Sequence, residues 1–164
     1  MVTVRRIIVG NNIKHTFIRA SLFALVFYVI CSTFLLPCTA TGSSMEPTYA
    51  DGSWHLINTF SYRTAHPARG DIISIRLAGN RIMYLKRIIA LPGKRLRIVN
   101  GTVYINDKAF DEPYITFRDL SWNLKEQFID DNEYFAIGDN RGMPMPHHTF
   151  GKFDKNRIVG KVLF

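Results

Sequence analysis

From Ala20 to Met45 the sequence carries no charged residue, and the stretch that begins at Leu22 stays apolar almost throughout to Leu36. Crossing the hydrocarbon core of a bilayer takes roughly 20 helical residues, with a range of about 17–25. Ala20 to Leu36 supplies 17. Phe17 and Ile18 extend the apolar surface if Arg19 turns its charge toward the headgroups, and Pro37, which has no amide hydrogen, stops the helix. Two other readings fit less well. A cleaved secretory signal has a shorter apolar core, roughly 7–15 residues, ahead of small residues such as Thr39-Ala40-Thr41-Gly42. A helix apolar on all sides can also lie inside a soluble core, but the rest of a 164-residue chain is small for enclosing one. The run is read as an uncleaved membrane anchor over 20–37, with 1–19 before it and one domain, 38–164, after it.

Charge sets the expected orientation. Arg5, Arg6, Lys14 and Arg19 precede the span with no acidic residue among them, which keeps 1–19 in the cytoplasm and puts 38–164 on the outer face of the cell membrane. The chain has 21 Lys and Arg against 13 Asp and Glu, a net +8, of which about +4 falls on the exported part. That balance suits membrane lipid with anionic headgroups. No nucleic-acid partner is expected, because no basic run is interleaved with stacking aromatics; Lys94, Arg95 and Arg97 read as solvated charges on a strand edge. Only two cysteines, Cys31 and Cys38, are present, which excludes a disulfide scaffold and a Cys-rich zinc module.

After the anchor the pattern is β. Trp54–Asn58, Asp71–Arg76 and Arg81–Ile89 are short apolar-rich runs separated by Gly, Pro and Asn. Arg95–Val99 and Thr102–Ile105 flank Asn100-Gly101, the strongest two-residue signal for a tight hairpin. Tyr134–Ile137 and Arg157–Val159 supply later strands. Residues 107–133 are polar without a clean period, and Leu120–Phe128 is expected as a short helical or irregular insertion. The fold class is therefore mostly β: an antiparallel, curled or barrel-like sheet system preceded by one N-terminal transmembrane helix.

Two residues stand out for chemistry. Ser44 lies in Thr41-Gly42-Ser43-Ser44-Met45-Glu46-Pro47-Thr48 directly after the span, a loop that can expose a hydroxyl and aim backbone N–H groups at one point. In Ile82 to Ile89 a period of two puts Ile82, Tyr84, Lys86 and Ile88 on one face and Arg87 on the other. Lys86 thus points toward a core or cleft, where burial disfavours its ammonium form and makes it usable as a base. The reading that competes is a half-exposed lysine on a strand. His147 and His148 could serve as metal ligands or as a base, but no Cys or acidic residue stands at ligand spacing. His55 and His66 are isolated. Asp139, in Gly138-Asp139-Asn140, is either a turn residue or an acid that holds another side chain in place.

The order of apolar anchor, Ser44-Met45-Glu46-Pro47-Thr48, Arg69-Gly70-Asp71, Tyr84-Leu85-Lys86-Arg87-Ile88-Ile89-Ala90-Leu91-Pro92-Gly93, Asn100-Gly101, Asp111-Glu112-Pro113-Tyr114, Gly138-Asp139-Asn140 and Ile158-Val159-Gly160-Lys161 resembles the bacterial type I signal peptidases from about Val26 onward. The resemblance implies a membrane-tethered serine endopeptidase with a Ser/Lys dyad, acting on preprotein substrates that carry signal peptides and needing no cofactor. It implies Ser44 as nucleophile, Lys86 as general base, the Ser44 amide in the oxyanion hole, and Met45 and Tyr84 along the substrate pockets; Ser43 is read here as a candidate second oxyanion donor and Asp139 as a candidate support. The chain departs from the family after Asn140-Arg141, where a Ser and then Asp-Ser-Arg usually follow. Here Pro144 stands at the first and Pro146, His147 and His148 at the others, so the lysine needs another brace, Asp139 or a histidine. Ala90 and Lys94 replace a usual Gly and Asp, and Gly42 stands where some members have an oxyanion serine. Two alternatives follow from these departures: a dedicated peptidase for conjugation or pilus precursors, or a catalytically silent anchored β-domain that binds exported segments.

Overall fold

In the computed structural model, which describes residues 13–76, 83–149 and 151–163, the apolar run forms the 22-residue helix α1, Ile13–Phe34. At about 1.5 Å per residue it is long enough to cross a membrane, and its composition agrees. None of its residues is buried; Phe23 and Phe27 are 75% and 70% exposed. The Ser32 and Thr33 hydroxyls donate back to the Val29 carbonyl, so they present little unsatisfied polarity to apolar surroundings. The helix ends at Phe34 rather than at Pro37, because proline disfavours the helical conformation of the residue before it. Leu35–Thr39 continues as strand β1 instead. Arg5, Arg6, Arg81 and Ile82 lie outside the described residues.

The chain divides into two units, up to Leu36 and from Pro37 onward. The second is mostly β. Its strands after β1 are β2 (Trp54–Asn58), β3 (Ile72–Arg76), β4 (Met83–Ala90), β5 (Arg95–Val99), β6 (Thr102–Ile105), β7 (Lys108–Ala109), β8 (Leu124–Phe128), β9 (Glu133–Ile137), β10 (Gly151–Asp154) and β11 (Ile158–Val162), with a one-turn helix α2 (Ser61–Thr64). One sheet has the order β1-β2-β11-β3-β4-β9-β10 and the other β7-β6-β5-β8. The pairings between β2 and β11 are antiparallel throughout. The hairpin expected at Asn100-Gly101 forms between β5 and β6, both turn residues taking the positive φ that a tight two-residue loop requires.

Leu124–Phe128 corrects the expectation of a helical or irregular insertion. It is an edge strand, β8, paired to β5 through Arg95 with Phe128, Leu96 with Gln127 and Ile98 with Leu124. Its polar residues Lys125 and Glu126 face solvent, which hid the period of two.

The larger sheet is covered on both faces, so consecutive residues enter different cores. In β9, Tyr134 and Ala136 join Ile73, Ile75, Ile88 and Phe153. Phe135 and Ile137 join Ile89, Leu96, Ile98, Val103 and Trp122 in the core shared with the smaller sheet. Continuous apolar runs such as Tyr134–Ile137 are what a doubly buried strand requires.

Candidate active site

Register brings the site together. Ile73 of β3 lies opposite Lys86 of β4, and Arg87 lies opposite Ile137 of β9. The Gly138-Asp139-Asn140 turn therefore begins beside the lysine. Asn140 clamps the serine loop, its backbone N–H donating to the Ser44 carbonyl at 3.1 Å and its side-chain Nδ2 to the Ser43 carbonyl at 3.0 Å. No side chain fits at position 138: a Cβ there would stand 2.1 Å from the Ser44 carbonyl oxygen and 2.5 Å from His148 Cε1. Glycine is needed for this close approach of two backbones. The serine loop itself is a short 3-10 turn, Ser43–Met45, entered through Gly42 at φ +88°.

At the centre, Lys86 Nζ and Ser44 Oγ are 2.7 Å apart. Lys86 is 3% exposed. Burial pushes its pKa down from 10.5 to about 8, while the Asp139 charge works in the opposite direction. At pH 7 about a tenth of such lysines are neutral, against roughly one in three thousand at the ordinary value. The pair can thus transfer a proton from hydroxyl to amine at neutral pH. The Tyr84 ring centroid lies 5.7 Å from the same nitrogen.

The remaining expected residues fall around this pair. Met45 is buried and Tyr84 half-buried, and both line a cleft of about 460 Å³ bounded by residues 37–42, Ser44, Ser74 and 83–85. Residues 37–39 belong to β1 and 83–85 to β4, strands with three others between them in the sheet order, so the sheet curls around the cleft as expected. Asp139, 1% exposed, takes both Arg87 Nε (2.9 Å) and Nη2 (2.6 Å) on its two carboxylate oxygens and a 2.6 Å bond from Thr48 Oγ1. It holds Arg87 and the serine loop and acts on Lys86 through its charge. Ser43 ties the loop to Asn140 and Glu46 through its carbonyl.

The two histidines part company. His147 is exposed, while His148 is buried, with Nε2 3.1 Å from the Asn140 carbonyl and its ring edge-on to Trp122. Burial, then the Lys86 charge, push its pKa down to about 4, so it is neutral. Arg87, Thr48 and Asn140 carry roles that the sequence reading did not give them. A buried-strand arginine next to an acidic turn was the available signal for the first; the other two act through contacts 91 or more residues away along the chain.

Residues 13–164 match the family described as signal peptidase, peptidase S26. The chain belongs to that family. Signal peptidase IB of Staphylococcus aureus is 31% identical over 157 residues, covering 85% of this chain and 82% of the relative. Signal peptidase I P of Bacillus subtilis subsp. natto is 33% identical over 154 residues, covering 87% and 83%. A crystal structure of a signal peptidase I from Enterococcus faecalis aligns with 60% of this chain and 98% of that one, at 23% identity and a TM-score of 0.49. As a peptidase of this family the chain is a serine endopeptidase.

Proposed function

We propose that this chain removes N-terminal signal peptides from exported preproteins, with Ser44 as nucleophile and Lys86 as general base. The observation that carries the reading is the 2.7 Å approach of Lys86 Nζ to Ser44 Oγ, with the lysine nearly sealed from water. Names of the curated relatives supply the substrate class.

The cleft suggests how substrate is held. β9 pairs with β4 only from Arg87 to Ala90, so on that side the Met83–Lys86 edge has no strand partner among the described residues. An extended precursor segment can add to this edge, its main-chain hydrogen bonds setting the register. Neutral Lys86 then takes the Ser44 proton as Oγ attacks the scissile carbonyl, and the Ser44 amide, with Ser43 as a second candidate, steadies the oxyanion. The lysine ammonium gives its proton to the leaving amine, and the signal peptide stays behind as an acyl-enzyme. Water, deprotonated by Lys86, releases it. Met45 and Tyr84 border the residue being cleaved. Asp139, through Thr48, and Asn140, itself in contact with His148, hold the serine loop.

Helix α1 fixes the enzyme in the same membrane as its precursors, which raises their effective concentration. We place residues 1–19 in the cytoplasm and the β unit on the outer side, from the cations that precede the span. A cleavage assay on a secretory precursor tests the proposal. Wild type cuts at the signal boundary and Ser44→Ala and Lys86→Ala do not; retained cutting by either variant overturns the dyad. Wild type that binds precursors without cutting them would mark a silent binding domain.

A further inference from the structure

The cleft contains one polar group that the dyad does not use. Ser74 sits in β3 within Ile72-Ile73-Ser74-Ile75, between Gly160 of β11 and Leu85 of β4. It is 0% exposed, and its Oγ has no hydrogen-bond partner among the described residues. A hydroxyl removed from water without a partner costs about 1–3 kcal/mol, and an alanine or valine would pack in the same strand without that cost. The residue also lines the cleft that Ser44, Leu85 and Cys38 line. An unmet hydroxyl at the floor of a substrate cleft is a binding feature when the substrate supplies the missing partner.

Resting on the peptidase reading above, we infer that Ser74 forms a polar subsite that selects a short hydroxyl-bearing side chain, serine or threonine, at one position of the precursor near the scissile bond. A neutral partner is required, because among the described residues that line the cleft none is charged and able to compensate a buried charge. A hydroxyl fits both needs, since it donates and accepts and Ser74 does the same. Alternation along the added strand sends every second substrate side chain to the same side, so only one position meets Ser74 while its neighbours point elsewhere. A valine at that position has the shape of threonine but leaves Ser74 unmet, and a site built to hydrogen-bond penalises the analogue that cannot.

The test uses the full-length chain in detergent micelles and a secretory precursor in which each residue flanking the scissile bond is in turn threonine or valine. Wild type is expected to favour threonine over valine at one position by roughly three- to tenfold in kcat/KM, the worth of one neutral hydrogen bond. Ser74→Ala removes that preference, and Ser74→Thr, which restores a hydroxyl, keeps it. Equal rates for threonine and valine at every position, or a preference that survives Ser74→Ala, overturn the subsite while leaving the peptidase reading intact. Should wild type cut no precursor, the peptidase reading fails separately. The same threonine and valine peptides, titrated onto the Ser44→Ala chain by fluorescence anisotropy, then decide the subsite by a difference in affinity that Ser74→Ala does or does not erase.

Discussion

On one face of β4 the Arg87 guanidinium meets both oxygens of Asp139, the Gly70 carbonyl and the ring of Tyr114 at 4.0 Å. On the other face Lys86 meets Ser44 Oγ as its hydrogen-bond partner among the described residues. These neighbours are both withdrawn from water, and burial alone lowers the pKa of each. For Arg87 the Asp139 hydrogen bonds and charge outweigh burial, and the net direction is upward. For Lys86 burial wins. The strand thus keeps, one residue apart, a cation paired to a carboxylate and an amine whose partner among the described residues is a hydroxyl, the group proposed above as the base, and the alternation of side chains is what separates them.

The largest expected effect breaks the chemical face. Removing Ser44 or Lys86 lowers cleavage by roughly 10⁴-fold or more, and removing both costs no more than removing one, because the two act as a unit. Single-turnover cleavage of a precursor by Ser44→Ala, Lys86→Ala and the double variant measures this; additive losses would separate the two residues. Next comes the architectural face. Asp139→Ala leaves Arg87 buried without its carboxylate and is expected to cost about 3–5 kcal/mol of stability. Denaturant unfolding in micelles reads it, and a loss below about 1 kcal/mol would show that Arg87 needs no such partner.

A third prediction sets the two faces against each other. Because the Lys86 pKa falls from 10.5 unfolded to about 8 folded, the folded chain resists protonation. That cost is fully present below about pH 8 and disappears as pH rises through the unfolded value. Lys86→Met is therefore expected to raise stability by up to about 3 kcal/mol at pH 7 at 1.36 kcal/mol per unit, even as cleavage is lost. The gain shrinks between pH 8 and 10.5; a gain independent of pH would put its origin in packing instead.

The same contrast explains what was legible in the sequence. The strands β2, β5 and β6 could be read nearly to the residue, because their apolar pattern and the Asn100-Gly101 turn are local signals. β8 was missed, since an edge strand with exposed Lys125 and Glu126 shows no apolar period. β1 was hidden because its Leu35-Leu36 start looks like the end of the membrane run. Within the site, periodicity turned Lys86 inward and Arg87 away, and the family resemblance put Ser44 beside it. The clamp from Asn140 was not legible: it ends on the Ser43 and Ser44 carbonyls, and a backbone acceptor leaves no mark on residue type. Ser74 reads as one small residue in an apolar strand until its hydroxyl is seen to have no partner among the described residues.

The smallest effect concerns how the two faces communicate. Asp139 pairs with Arg87, yet its negative charge also reaches Lys86 and raises the lysine's pKa against the effect of burial. Asp139→Asn removes the charge while an amide oxygen remains to accept from Arg87, so the fold is disturbed less than by alanine. With the charge gone, burial acts on Lys86 unopposed and its pKa falls further. Since the proposed mechanism requires the neutral amine, activity is expected to decline as pH drops through that pKa, and the acid limb of kcat/KM for Asp139→Asn should lie at lower pH than the wild-type limb near 8. An acid limb that stays in place would mean that Asp139 serves Arg87 and the Thr48 loop only, with the titration of the dyad set by desolvation alone. A limb that moved upward would assign it to a group other than Lys86, because removing a nearby negative charge cannot make an amine harder to deprotonate.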